Sequence, residues 1–240
     1  MPPSTQQSPL STREFGLRDM NGLRFCFRIG TVDEAVLTAD YQQLRFFVPG
    51  YDLSETDTIL DVGAHIGAFT AYASRTVRHG KVHSIEASAA NFHILLENVA
   101  INGLSNVKAH RLAIGGRSGM STLYHGRNNW GHSLSAPKAA DRTPDAESVT
   151  SQTLEDFLKC NGIHHVDYLK MNVEGAEYDI FLNASKATLQ AVALMLIEFH
   201  PCGRHSGEEI VGRLDQSGFA TSVVLSESEA GKGWITARRL

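Results

Sequence analysis

The stretch ILDVGAHIGAFT, residues 59–70, constrains the fold of this chain more than any other feature of the sequence. An apolar run ends in Asp61, and Gly63 and Gly67 follow it, four positions apart. An apolar run that stops at a glycine-rich turn and continues as a helical pattern is typical of a buried strand leading into a helix. The glycines keep side chains out of the turn, so the sequence predicts that a ligand lies against its backbone N–H groups.

Strand and helix patterns alternate regularly from Thr58 onward, which predicts an α/β fold. The strands are largely apolar or β-branched and are joined by short turns, so we expect a mostly parallel sheet with helices on both faces. The predicted strands are residues 58–63, 81–87, 106–114, 166–173, 191–200, 220–226 and 233–239. The predicted helices are residues 67–77, 89–102, 153–162, 176–185 and 206–219.

The residues before this alternation predict an N-terminal extension, 13–57, that packs on the core. Alternating runs flank Asn21-Gly22, a dipeptide that is the strongest short signal for a β-hairpin. A helix is predicted over residues 31–47, with Thr31 as its N-cap and Glu34 completing a capping box. Residues 1–12 are polar and rich in proline and serine, so we expect a disordered leader.

Residues 58–240 are predicted to form the main domain, with a lid-like insertion at about 115–147. The insertion is rich in Gly, Ser, Asn and Asp and contains one short strand pattern, residues 120–126. We expect Tyr124 and Trp130 either to stack on a ring of the acceptor or to close a small core within the lid, and the second is the simpler expectation.

Composition excludes several classes of protein. The chain has 240 residues, of which 42% are hydrophobic, and a net charge of −4, so no partner that is nucleic acid or anionic lipid is expected. No 18-residue apolar stretch occurs and the first residues lack the apolar segment of a signal peptide, so we expect a soluble, cytoplasmic protein. Cys26, Cys160 and Cys202 are far apart in sequence, which indicates reduced thiols rather than a disulfide scaffold or a zinc site.

Two acids at the ends of successive predicted strands indicate a cofactor. Asp61 would repel a phosphate but suits an ammonium group, and the G-x-G-x-x-G spacing of a dinucleotide site is absent. Glu86 ends the next strand, where a carboxylate can accept hydrogen bonds from both hydroxyls of a ribose. Together the two acids predict S-adenosylmethionine. The alternative is that Asp61 caps a helix and Glu86 is a solvated strand end.

Several motifs resemble those of a known family. DVGAHIGAFT and HSIEA are similar to the first two motifs of class I S-adenosylmethionine-dependent methyltransferases. The chain from about residue 30 onward resembles the FkbM-type family in particular, through NWGHSL (129–134), TLEDF (153–157), DYLKMNVEGAEYDIF (167–181) and LIEFH (196–200). The resemblance implies a Rossmann-like class I fold with a seven-stranded, mostly parallel sheet whose last strand is antiparallel. It also implies transfer of a methyl group to oxygen.

The residues that we expect to bind the cofactor follow these motifs: Asp61, Gly63, Ala64, His65, Gly67, Thr70, Glu86, Ala87, Ser88, Ala113 and Asn172. Two of them depart from the family, which usually has Asn in place of His65 and Asp in place of Asn172. An imidazole still donates to a carboxylate, but an amide neither ionises nor takes up a proton. Either other residues perform those tasks here, or the chain is altered or weakly active.

Four residues at the same predicted edge are candidates for taking a proton from an acceptor hydroxyl: His132, Glu174, Glu198 and His200. The alternatives are that His132 positions the cofactor or packs the loop, and that Glu174 caps its helix. Glu198 and His200 are otherwise expected to form a buried hydrogen-bonded pair. A divalent cation on Asn172, Glu174, Glu198 and His200 is the less favoured mechanism, because position 172 lacks an acid.

The sequence therefore predicts an S-adenosylmethionine-dependent O-methyltransferase that acts on a hydroxyl of a small molecule, such as a sugar, a glycoside or a polyketide-type natural product. Two alternatives stay open: N-methylation of a small amine, and a catalytically weak cofactor-binding protein. The expected partner is a small-molecule acceptor rather than nucleic acid or a membrane. The apolar stretch LRFFVPGY, residues 44–51, leaves a homo-oligomer open.

Overall fold

A seven-stranded sheet forms the centre of the structure, a computed structural model that describes residues 14–38, 48, 50–126, 131–134, 145–203 and 205–240. In chain order the strands are β1 Phe15–Met20, β2 Leu23–Arg28, β3 Thr58–Val62, β4 Lys81–Glu86, β5 Val107–Arg111, β6 Ala113–Ile114, β7 Gly119–Tyr124, β8 Ala146–Gln152, β9 Val166–Asn172, β10 Val192–Phe199, β11 Phe219–Leu225 and β12 Gly233–Arg239. The helices are α1 Asp33–Val36, α2 Ala68–Thr76, α3 Ala89–Ile101, α4 Leu154–Cys160, α5 Glu177–Asn183, α6 Lys186–Gln190 and α7 Gly207–Gln216.

The order of strands in the large sheet is β11-β12-β10-β9-β3-β4-β5. Strands β10, β9, β3, β4 and β5 pair in parallel, whereas β12 runs antiparallel to both of its neighbours. The predicted sheet of seven strands with an antiparallel last strand is therefore confirmed. Parallel pairing brings the carboxyl ends of β3, β4, β9 and β10 to one edge, where ligands of such sheets bind.

Helices cover both faces of this sheet, and neighbouring residues of β9 point to opposite faces. Leu169 packs in one cluster with Phe157 of α4 and Phe181 of α5. Tyr168 packs on the other face against Phe69 of α2, with ring centroids 5.8 Å apart. Burial of each large apolar side chain stabilises the fold by roughly 1.5–3 kcal/mol, so these central strands fix the edge that carries the site.

The N-terminal hairpin forms as predicted and packs beside the glycine-rich turn. Asn21 and Gly22 have φ values of 48° and 78°, which suit the tight turn of a two-residue hairpin. Phe25 of β2 shares a buried cluster with Ile66 and with Ile94 of α3. The hairpin is therefore attached to the turn after β3.

The helix that follows the hairpin differs from the prediction at its start. It begins at Asp33 with Val32 as the N-cap, and no side chain caps it. The Thr31 hydroxyl instead donates to the carbonyl of Arg28 at 2.9 Å and accepts the N–H of Asp33 at 3.2 Å. The predicted capping box of Thr31 and Glu34 is therefore wrong, because Thr31 accepts the N–H of Asp33 and the carboxylate of Glu34 pairs with Arg18. Residues 39–47 of the predicted helix lie outside the described residues.

The predicted insertion contains more regular structure than the sequence indicated. Its strand β7 belongs to a second sheet of three strands in the order β6-β8-β7, in which β6 precedes the insertion and β8, which was not predicted, begins at its end. The predicted third strand, 106–114, is divided, because Ala113–Ile114 pairs with β8 instead of continuing β5. The short helix α6 was also not predicted.

Two predicted features, the leader (1–12) and Trp130, lie outside the described residues. No described helix has both the length and the apolar character needed to cross a membrane.

Candidate active site

The glycine-rich turn is shaped by close contacts within the protein. Gly63 has a φ of 76°, and a Cβ on it would lie 1.8 Å from the carbonyl oxygen of Asn172. Gly67 has a φ of 89° at the N-cap of α2, and a Cβ there would lie 2.5 Å from Cδ1 of Leu95. The first glycine lets β3 pass close to β9, and the second lets α2 approach α3.

The N–H groups of this turn are engaged within the protein, which differs from the predicted ligand cradle. Those of Gly63 and Ala64 both donate to the carbonyl of Ile85, and that of Gly67 donates to the carbonyl of Ala64. The N–H of His65 donates to Oε2 of Glu86 at 2.8 Å. The turn therefore orients Glu86 and does not present these four N–H groups to a ligand.

A cavity of about 350 Å³ lies at the carboxyl edge of the central strands. Ten of the site residues predicted from sequence line it: Gly63, Ala64, His65, Glu86, Ala87, Ala113, His132, Asn172, Glu174 and Glu198. The other five predicted site residues are not part of its lining: Asp61, Gly67, Thr70, Ser88 and His200.

Glu86 places a carboxylate in the cavity wall. Its side chain is nearly buried, and its two oxygens accept the N–H groups of His65 and of Ser88, at 2.8 and 2.9 Å. Burial raises the pKa of Glu86 to about 7, against the lowering effect of these backbone hydrogen bonds. The side chain of Asn91 also donates to this carboxylate, and its remaining acceptor capacity can receive a hydrogen bond from a hydroxyl. Glu86 is therefore not the solvated strand end of the alternative interpretation.

Asp61 is fully buried behind the cavity and is satisfied by other side chains. Its carboxylate accepts hydrogen bonds from Lys170 Nζ at 3.1 Å and from the Thr70 hydroxyl at 2.6 Å. Lys170 also donates to the carbonyl of Gly63 at 2.8 Å and lines the cavity itself. Asp61 is not a helix cap, since Gly67 occupies that position, and its contact with a cofactor stays a prediction.

Asn172 and Glu198 lie side by side on β9 and β10. The amide of Asn172 donates to Oε2 of Glu198 at 2.8 Å, and Lys232 Nζ lies 2.7 Å from Oε1. Both oxygens of Glu198 are therefore bound to donors, so this carboxylate is poorly available as a base. Oδ1 of Asn172 is buried and has no hydrogen-bond partner among the described residues. An unpaired but buried acceptor atom thus lies beside the cavity that Asn172 lines.

Glu174 lines the cavity directly after β9, with a side chain that is 25% exposed. It has a φ of 54°, a left-handed conformation that costs a non-glycine residue about 1–2 kcal/mol. Burial raises the pKa of Glu174, and the charges of His200 and Lys232 oppose that rise. The predicted alternative role as a helix cap is wrong, because Ala176 is the N-cap of α5.

His200 lies behind Glu174, buried between glutamates. Its Nδ1 is 2.9 Å from Oε1 of the fully buried Glu177, and its Nε2 is 3.3 Å from Oε2 of Glu174. The expected pair with Glu198 is not formed, because the shortest distance is 3.9 Å. Burial alone would lower the pKa of His200, but the hydrogen bond to Glu177 and the nearby carboxylates raise it. His200 therefore lies behind Glu174, with its ring held by Glu177.

His132 lines the cavity as a neutral hydrogen-bond donor. Burial lowers the pKa of His132 to about 4, and the nearby His125 adds to the effect. The backbone N–H of Gly126 donates to Nδ1 at 3.1 Å, so the proton of the neutral ring is on Nε2. A ring in this tautomer donates from Nε2 and has no free lone pair for a proton.

Among the described residues, no three His, Cys, Asp or Glu side chains are arranged to hold a metal ion. The conditional metal ligands Asn172, Glu174, Glu198 and His200 are adjacent in space. Asn172 is hydrogen-bonded to Glu198, which lies beside Lys232, and His200 lies between Glu174 and Glu177.

Sequence reasoning assigned no role in this site to several of its residues. Lys170 precedes Asn172 by two positions, so the spacing places both side chains on the same face of the strand. The spacing does not reveal that Lys170 pairs with Asp61. Lys232 follows a loop of Gly, Ser and Glu residues, which carries no spacing signal. The segment around Val36 forms a wall of the cavity, although the sequence assigned it only a packing role.

Sequence comparison places this chain near known methyltransferases. Residues 61–220 match a family model described as Methyltransferase FkbM domain. Methyltransferase sdnD of Sordaria araneosa is 26% identical over 222 residues, an alignment that covers 79% of this chain and 85% of that protein.

Structural comparison gives the same architecture. The fold is similar to a crystal structure of Methyltransferase FkbM from Methylobacillus flagellatus, with a TM-score of 0.54 and 14% identity over 82% of this chain. The match covers 47% of that chain, so this protein spans about half of its length. It is also similar to M. jannaschii TYW2 in complex with AdoMet, with a TM-score of 0.50, 16% identity, and 94% and 87% of the two chains covered. At these identities the likeness concerns the fold, and it confirms the predicted class I architecture.

Proposed function

This chain belongs to the FkbM methyltransferase family, and we propose that it transfers a methyl group to a hydroxyl of a small molecule. S-adenosylmethionine is its cofactor, as the family and the class I fold confirm. The observation that carries the proposal is a carboxylate base, Glu174, on the wall of the same cavity as Glu86.

The residues of the cavity fit the cofactor. Glu86 offers carboxylate lone pairs to the two ribose hydroxyls. The buried, unpaired Oδ1 of Asn172 is an acceptor of the kind that an ammonium group needs. When bound, the sulfonium of the cofactor supplies the methyl group and leaves as a neutral thioether. The protein must therefore align the acceptor and remove its proton.

Glu174 is the residue best suited to remove that proton. It faces the cavity, and its pKa is raised, so it is a stronger base than an exposed glutamate. Glu198 is held by Asn172 and Lys232, and His132 has its lone pair engaged by Gly126. Asn172 stands in place of an acid, but Glu174 still provides a base. This argues against a protein that only binds the cofactor.

The remainder of the lining supports an uncharged, partly apolar acceptor. Leu123, Leu134 and Val173 line the cavity together with the donor His132. A sugar, a glycoside or a polyketide alcohol combines apolar faces with hydroxyls in this way. We also propose that the protein is cytoplasmic and that its acceptor is a small molecule.

The test compares pairs of acceptors that share a carbon skeleton and differ only in bearing a hydroxyl or an amine. We expect methylated product, detected by mass spectrometry, from alcohols and not from the matched amines. Glu174→Gln should reduce turnover at least 100-fold, the scale of general-base catalysis. Glu208→Gln, which removes an exposed acid on α7, is the matched control. Methylation of amines alone would overturn the proposal.

A further inference from the structure

Helix α1 of the N-terminal extension forms one wall of the cavity. Val32, Ala35 and Val36 line it, and all three precede residue 61, where the match to the family model begins. Glu86 and Asn91 line the same cavity. An apolar wall beside a ribose-binding acid suits the purine and the sugar carbons of a nucleoside better than a charged amino acid group.

A buried ion pair ties this wall to the core. Nε and Nη2 of Arg28 lie 2.7 Å from Oδ2 and Oδ1 of Asp33, and the two side chains are 2% and 0% exposed. The backbone N–H of Arg28 also donates to Oδ2 at 3.0 Å. Asp33 is the first residue of α1, so a bidentate pair at this position fixes the start of the helix.

The same ion pair reaches two other residues of the cavity wall. Nη2 of Arg28 donates to Oδ1 of Asn91 at 2.7 Å. Oδ1 of Asp33 lies 3.4 Å from Nε2 of His65. Asn91 belongs to α3 and His65 to the glycine-rich turn, so the pair connects three separate parts of the lining.

We infer that α1 is part of the cofactor site, and that Arg28 and Asp33 are positioning residues that hold it against the bound nucleoside. The inference rests on the proposed function only for the identity of the cofactor, and it does not depend on the acceptor or on the base. Loss of one partner would leave a buried charge unpaired and release the wall.

Hydrogen exchange of the full chain, with S-adenosylhomocysteine as the probe, tests the inference without any substitution. We expect slower amide exchange on binding in residues 28–38 as well as in residues 85–91, with residues 219–225 of β11 unchanged. Protection of 85–91 without any change in 28–38 overturns the inference and leaves the proposed function intact. Absence of binding overturns both.

Substitutions in α1 provide a second test through the dissociation constant of S-adenosylhomocysteine. Val36→Ala removes apolar surface from the wall and should raise the dissociation constant about fivefold. Asp33→Asn should raise it at least tenfold and speed dissociation. Glu34→Gln, which alters an exposed acid in the same helix, is the matched control and should have no effect.

A purely structural role gives a different result. In that case Asp33→Asn would lower the melting temperature, while the folded fraction would bind with an unchanged dissociation constant. Val36→Ala decides the matter if Asp33→Asn does not fold, because an unchanged constant for Val36→Ala overturns the inference.

Discussion

The side-chain amide of Asn172 donates a hydrogen bond of 2.8 Å to Oε2 of Glu198, across the pair of strands β9 and β10. An aspartate at position 172, as the family resemblance leads us to expect, would in this arrangement place two carboxylates in contact. Lys232 satisfies the other oxygen of Glu198. The amide is therefore matched to its surroundings, and in the proposed mechanism the proton acceptor is Glu174.

Asn172→Asp should destabilise the protein by about 1–3 kcal/mol, because it replaces a donor with a second acceptor. Contact between two carboxylates raises the pKa of one of them, so the loss should grow as the pH rises from 6 to 8. Denaturant unfolding at both values measures it.

The double variant Asn172→Asp/Glu198→Gln is the control for this prediction, because it exchanges donor and acceptor and should recover part of the stability. Turnover of Asn172→Asp should not exceed that of the wild type. A single variant that is as stable as the wild type at pH 8, or more active, would contradict this account of the pair.

Cofactor affinity should depend on pH through Glu86. Burial raises the pKa of Glu86 to about 7. The stability that protonated Glu86 contributes to the cofactor-free protein is therefore fully present at pH values below the ordinary pKa of a glutamate, and it is lost as the pH rises through 7. Ribose hydroxyls donate to the ionised form. The dissociation constant for S-adenosylhomocysteine should therefore fall as the pH rises from 5.5 to 7 and level off above 8. Calorimetry of the wild type and of Glu86→Ala tests this, and a pH-independent wild type would argue against it.

His132→Ala should reduce turnover about tenfold, the scale of one hydrogen bond, and change the cofactor dissociation constant less than threefold. The pKa of His132 is lowered to about 4, so the ring stays neutral and the loss should be the same at pH 6 and pH 8. Steady-state kinetics at both values provide the measurement. Equal losses of turnover and cofactor affinity would make His132 a residue that positions the cofactor.

Gly63→Ala should unfold the protein or cost more than about 4 kcal/mol, because its Cβ would lie 1.8 Å from a backbone oxygen of β9. Gly30→Ala is the matched control. Gly30 has a similar φ of 73° and no atom within 4 Å of the added carbon, so only the conformational cost of about 1–2 kcal/mol should appear. Similar stabilities of the two variants in thermal unfolding would show that the close approach of β3 and β9 is not needed.

The large sheet was predictable because its signals are local. Apolar strands, glycine-rich turns and helical patterns alternate along the chain, and each element from β3 to α3 lies within a few residues of its predicted bounds. The hairpin at Asn21 was equally clear. Strand β8 was not, because it alternates between exposed and buried residues that are mostly small or polar and lacks the apolar run of a central strand.

The site was less predictable than the fold, because its chemistry depends on which side chains meet. Sequence spacing placed Asp61 and Glu86 on adjacent strand ends, but it could not reveal that Lys170 neutralises Asp61 while Glu86 stays on the cavity wall. Likewise, the backbone N–H of Gly126 donates to Nδ1 of His132 and so determines that Nε2 is the donor. Such contacts arise from tertiary packing and leave no periodic pattern.

The most direct test of the account is a calorimetric titration of S-adenosylmethionine into the wild type and into Glu86→Ala at pH 8, with melting temperatures recorded to confirm folding. We predict binding to the wild type and a loss of about 2 kcal/mol in the variant, roughly a 30-fold higher dissociation constant. An equal dissociation constant in a folded Glu86→Ala protein would contradict the assignment of this cavity as the cofactor site.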